Sequence, residues 1–293
     1  MITNRFRALS FLILGVLGVA APVRAETLTD DLVFYANFDK SPDAVVAQGD
    51  GRLYTAASVA DAIARKDLQI GQLPAEVRLQ ADGGKYGGAL KFDDKSSRVL
   101  VYLGDAINGW AQPTDGRITN WSGTVSFWLK LDPKQDLKPG YCDPIQITQH
   151  AWNNAALFVD FDNTAERDFR LGVFSDIAAW NPDNTPWEAF PVDKRPMVVV
   201  KNSPFTRDRW THVALTFDKL NPNDGTVSSA TLFLNGKSQG KLEGPMPFQC
   251  DLTKAIVMIG VDYIGQLDEL TVFRRALTPE EIRRISLSQE PLR

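Results

Sequence analysis

Apolar and polar residues alternate with period two in segment after segment of this chain. In 124–131, Val125, Phe127 and Leu129 point one way while Ser126, Trp128 and Lys130 point the other. A sheet strand with one face buried and the other partly covered accounts for that pattern. Similar short runs occur at 32–38, 89–92, 98–103, 145–147, 155–161, 169–174, 197–200, 210–217, 230–234, 256–259 and 266–273. Turn-forming residues separate them. Asn235-Gly236 tolerates positive φ and suits a two-residue hairpin turn. The pattern predicts an all-β fold, two antiparallel sheets packed as a jelly-roll sandwich.

Helical signals are few. The segment 56–66 suits a short surface helix. A firmer one follows Thr278, with Pro279 at the first helical position and Glu281 three residues after the cap. Alternating strand–helix units are absent, which argues against a Rossmann or barrel enzyme.

The first 25 residues differ from the rest. Arg5 and Arg7 precede an uncharged stretch from 8 to 23, and Val23 and Ala25 place small residues before a cleavage point. This reads as a secretory signal peptide, too short to span a bilayer. The remaining 26–293 is expected to form a single domain without a transmembrane span. It is expected to be secreted, periplasmic or on the cell surface. Its 29 basic and 36 acidic residues leave a formal charge of −7, which argues against nucleic acid as a partner. Cys142 and Cys250 are expected to pair after export, the alternative being two separate thiols.

Several blocks carry a likeness. They are Leu32 to Asp39 (LVFYANFD), Gly87 to Phe92 (GGALKF), Gly123 to Lys130 (GTVSFWLK), Trp210 to Phe217 (WTHVALTF) and Leu232 to Lys237 (LFLNGK). The closing signature runs from Gly265-Gln266-Leu267-Asp268-Glu269-Leu270 through Phe273 to Thr278-Pro279-Glu280-Glu281-Ile282. Order and spacing resemble the laminin-G-like modules of the concanavalin A-like lectin/glucanase superfamily. Long segments near 50–85 and 142–208 depart from the family pattern as loop insertions.

The resemblance implies binding of sugars, proteins or calcium, and in some relatives polysaccharide cleavage. Carried onto this chain, it implies a structural calcium at Asp268 with oxygens near Asp39. Asp160 and Asp162 form a second candidate calcium loop. Calcium needs six to eight oxygens, so backbone and water would have to complete either shell. The alternatives are a carboxylate at Asp268 that accepts hydrogen bonds from loop amides, with Glu269 facing solvent, and a solvated hairpin end at Asp160 and Asp162.

The insertions hold aromatic residues outside regular strands: Trp152, Trp180, Trp187 and Phe190. Flat rings there can stack on sugar faces or anchor a protein partner, with Asp176 and His150 as polar neighbours. They can equally pack the long loop onto the sheet. No nucleophile elbow, zinc helix or phosphate loop occurs, nor the E-x-D-x-x-E strand of jelly-roll glycanases. His150, Gln146, Tyr141 and Arg170 supply the residue types of a lyase, without a spacing that marks them. The leading expectation is an exported protein recognising a glycan or another extracellular polymer. A structural or adhesive envelope protein and a polysaccharide-cleaving enzyme are the alternatives.

Overall fold

The computed structural model describes residues 28–104, 113–114 and 117–292. The expected signal peptide lies outside them. Nineteen strands are described. The first seven are β1 (Leu32–Ala36), β2 (Val46–Ala47), β3 (Tyr54–Ala56), β4 (Gln69–Ile70), β5 (Val77–Gln80), β6 (Ala89–Phe92) and β7 (Val99–Leu103). Then come β8 (Pro113–Thr114), β9 (Arg117–Ile118), β10 (Trp121–Lys130), β11 (Cys142–Thr148), β12 (Ala156–Phe161) and β13 (Phe169–Phe174). The last six are β14 (Met197–Val200), β15 (Thr211–Leu220), β16 (Ser228–Leu234), β17 (Lys237–Gly244), β18 (Ile256–Val261) and β19 (Gly265–Phe273). Four short helices accompany them: α1 (Val59–Ile63), α2 (Pro133–Asp136), α3 (Ile177–Trp180) and α4 (Pro279–Leu287).

The strands form two large antiparallel sheets. One runs β17-β16-β15-β10-β19-β1-β2, with β6 also on β19 and β5 on β6. The other runs β14-β13-β12-β11-β18-β7-β3-β4. Between them lies the main core. Val125, Phe127, Leu129, Leu215 and Val272 from the first sheet meet Ile145, Ile147, Leu157, Val159 and Leu171 from the second. The period-two alternation of the sequence is therefore the inward face of each sheet, which loses its apolar surface to the other. β17 is an edge strand with mostly exposed side chains, including Lys237 and Lys241, so it carries little apolar signal.

The outer faces are covered differently. α4 lies on the first sheet, with Ile282 and Ile285 against Ala214, Phe233 and Phe273. Its capping box forms as the sequence predicts. On the second sheet, α1 buries Ala62 against the group containing Val99, Val101, Ile256 and Met258. Beyond it, Trp180, Trp187 and Met197 pack on Ala156, Phe158 and Phe174.

The expected disulfide does not form: Cys142 and Cys250 are both free and buried. Cys142 opens β11. The Cys250 loop is held at the other end, where Gln149 Oε1 accepts from the Asp251 amide at 2.6 Å and His150 meets the Gln249 carbonyl. At about 3.3 Å rise per residue, β11 separates the two by roughly 20 Å, far beyond the ~7 Å Cα limit for a bridge. Each thiol fills core space as a small apolar group, and burial pushes that of Cys250 up to about 12.

Candidate functional site

The two insertions build the walls of one cavity on the outer face of the second sheet. Its volume is about 440 Å³, within the range of small-ligand sites. α1 contributes Val59 and Ile63 on one side, while Trp152, Trp187 and Glu188 stand on the other. The floor is the outward face of β11, β12 and β13.

Strand alternation chooses the floor residues. Val159 and Phe161 of β12 go into the core, so Phe158 and Asp160 face out. Leu171 and Val173 of β13 go in, so Arg170 and Gly172 face out. Gly172 sits opposite Phe158, and a Cβ there would lie 2.3 Å from the Phe158 ring. Its missing side chain gives that ring its place, stacked on Phe174 at 5.4 Å.

β11 carries a bulge. Cys142 pairs with Phe161 and Ile145 with Val159, so Asp143 and Pro144 together face the single residue Asp160. Pro144 has no N–H to give the ladder and belongs at such an irregularity. The bulge aims Asp143 into the cavity beside Gln146 and Tyr141.

Asp160 and Arg170 form a buried ion pair, Nε to Oδ1 at 2.9 Å and Nη2 to Oδ2 as a second contact. The guanidinium also lies over Tyr141, 5.1 Å from the ring centre. Burial raises the Asp160 pKa, against the pull of Arg170. Burial, then the charge of Asp160, holds Asp143 well above the usual carboxylate range.

The loop aromatics converge, but not all on the cavity. Trp152 is 40% exposed and meets Trp187 edge to face at 5.2 Å. Both rings rest on Phe174, and Trp187 is backed by Arg195 at 3.8 Å. Trp180 packs on Phe174 at 4.9 Å, donates to the Asn153 carbonyl, and lines a separate hollow. Phe190 is buried beneath Trp180. These last two anchor the loop. His150 stands outside the cavity with Nε2 3.3 Å from the Gln249 carbonyl. Asp176 accepts from the Gln249 amide at 2.7 Å.

The expected calcium is overturned: among the described residues no group of three or more His, Cys, Asp or Glu side chains can hold a metal. The reason is visible at each aspartate. Asp268 accepts from the amides of Lys85 at 2.6 Å and Glu269 at 2.8 Å. Asp39 accepts from the Gly88 amide at 2.8 Å. Asp162 Oδ1 accepts from Thr164 and Asp168, and Asp160 holds Arg170. Donors face these oxygens, where a metal shell would need more oxygens. Glu269 does not face solvent; it is 5% exposed, with Oε2 accepting from Tyr35 at 2.7 Å.

The sequence reading missed Asp143, Phe158 and the α1 wall. Tyr141, Gln146 and Arg170 were named only for a lyase, and they share this cavity without His150. The signal for the floor was the outward register of 155–161 and 169–174.

Two antiparallel sheets with a walled cavity on one outer face define a jelly-roll binding-domain fold. A laminin-G-type model of the concanavalin A-like lectin/glucanases superfamily matches residues 104–283, and the chain belongs to that family. Solved structures agree on the fold. Domain 4 of the extracellular arabinanase AbnA from Geobacillus stearothermophilus, in complex with arabinotriose, is 15% identical. It aligns with a TM-score of 0.52 over 87% of this chain and 98% of that one. The binding domain of botulinum neurotoxin DC in complex with SialylT gives 0.53 at 11% identity, over 90% of this chain. That of Paraclostridial Mosquitocidal Protein 1 gives 0.52 at 12%, over 89%. The chain spans about half the length of these two toxin domains, 53% and 52%. No curated protein sequence matches the chain. Among the described residues no helix is long and apolar enough to cross a membrane.

Proposed function

We propose that this is an exported protein that holds a glycan in the cavity between α1 and the 175–196 segment. The observation that carries this reading is the meeting of Trp152 and Trp187, from two loops, above a floor of Asp143, Gln146 and Arg170. An aromatic wall takes the apolar face of a sugar ring, and the polar floor orients its hydroxyls. The arabinotriose complex of the similar arabinanase domain supports a saccharide ligand, and the sequence of 1–25 supports export.

A glycan array followed by titration of the best oligosaccharide tests the reading. Trp152→Ala is expected to weaken binding by about ten-fold or more, the loss of one central aromatic contact. A blank array with folded wild-type protein sinks it.

A further inference from the structure

Asp143 is the one floor carboxyl left for a ligand. Among the described residues none hydrogen-bonds its side chain, whereas Asp160 beside it is held by Arg170 at both oxygens. The charges around it are mostly negative. Asp160, then Arg170 in the opposite sense, then Asp262 act on Asp143, and Glu188 stands on the wall. Of the two cations, Arg170 is committed to Asp160 and Arg195 is stacked behind Trp187. The two indole rings meet edge to face and Arg195 already lies over Trp187, so the partly exposed Trp152 is the ring left to attract a cation.

We propose that the cavity selects saccharides carrying a free amino group, the ammonium lying against Asp143 and beside the exposed ring of Trp152. The inference rests on the glycan-binding reading above and names the ligand class for that same site. An acidic sugar would bring a further negative charge beside Asp143, Asp160 and Glu188. A neutral one would offer Asp143 no charge to ionise against. An ammonium favours the ionised form of Asp143 against the burial that keeps it protonated, pairs with the carboxylate so formed and gains from the Trp152 ring, and the acidic chain steers it in.

The test is tryptophan fluorescence titration at low salt in near-neutral buffer, where the sugar amine is still partly protonated and Asp143 can ionise beside it. Three tetrasaccharides serve as probes: glucosamine, N-acetylglucosamine and galacturonic acid. The glucosamine probe is expected to bind about ten-fold tighter than its acetylated counterpart or more. The preference should vanish in Asp143→Asn and persist in Asp143→Glu. Equal affinity for the amino and acetylated probes, or tighter binding of the uronate, overturns the proposal while the glycan-binding reading stands. A preference that survives Asp143→Asn also overturns it, since general surface charge would then be its source. Failure of all three probes with a positive array sinks the amine inference alone. Failure together with a blank array removes the reading beneath it.

Discussion

Glu269 shows how one residue in an ordinary strand can set the pH response of the molecule. It sits at the bulge where β10 and β19 lose register, with φ of 54°. The bulge turns its carboxyl toward Tyr35 and away from water. Burial raises its pKa to about 7 and that of neighbouring Asp268 to about 8. A carboxyl raised on folding keeps its proton longer in the folded state. Its contribution is full below the unfolded value and drains as pH climbs through the folded one. His212 acts in the opposite direction. Fully buried beside Ser126, it is held down to about 3 by burial and by the charge of Lys85. Stability on its account falls as pH drops below about 6.5, where the unfolded histidine takes a proton. The two carboxyls outnumber the histidine, so melting temperature is expected to decline as pH climbs from about 4.5 to about 8, and to fall in acid only below about 4, where the histidine acts alone. Glu269→Gln should make the decline shallower up to about pH 7, leaving Asp268 to carry it on to about 8. An unchanged slope in that variant would show that Glu269 does not titrate as argued.

At the scale of elements, α4 and the cavity walls answer to different sheets. Thr278 Oγ1 accepts from the Glu281 amide at 3.3 Å, and Glu281 accepts in return from the Thr278 amide at 2.8 Å. Arg275 grips the same Glu281 carboxylate at 2.7 and 2.8 Å, holding its pKa at about 2. Thr278→Ala is expected to cost about 1 kcal/mol, read as a lower urea midpoint. Saccharide affinity should not change, because α4 packs on the outer face of the first sheet and the cavity lies on the second. Weakened binding in this variant would mean the ligand sits elsewhere. The insertions work the other way. The segment 56–66, read in sequence as a surface excursion, seats Ala62 on the second sheet and lends Val59 and Ile63 to the cavity. Phe190 and Trp180 use their rings to pin the second insertion, which frees Trp152 and Trp187 to face the opening.

The whole molecule is held by the burial of two sheets against each other, without a covalent staple between Cys142 and Cys250. Melting with and without dithiothreitol is expected to coincide. Alkylation in denaturant without reductant should tag both thiols, seen as two added groups in the intact mass. A single disulfide-linked species would contradict the arrangement. The fold itself was legible from residue order alone. Alternation at 124–131 and 210–217, the Asn235-Gly236 turn and the Thr278 cap are local signals, because side-chain period, turn conformation and capping depend on near neighbours. Trp152 and Trp187 stood out for the same kind of reason, as large rings in segments too broken for strands. What local pattern does not contain is which distant segments meet. The pairing of Asp143-Pro144 against Asp160, the capture of Asp160 by Arg170, and the distance that keeps the cysteines apart arise from strand register and sheet order. The aspartates show the same division. Sequence supplied the oxygens, and only the folded chain decided that backbone amides, a threonine hydroxyl and an arginine would claim them.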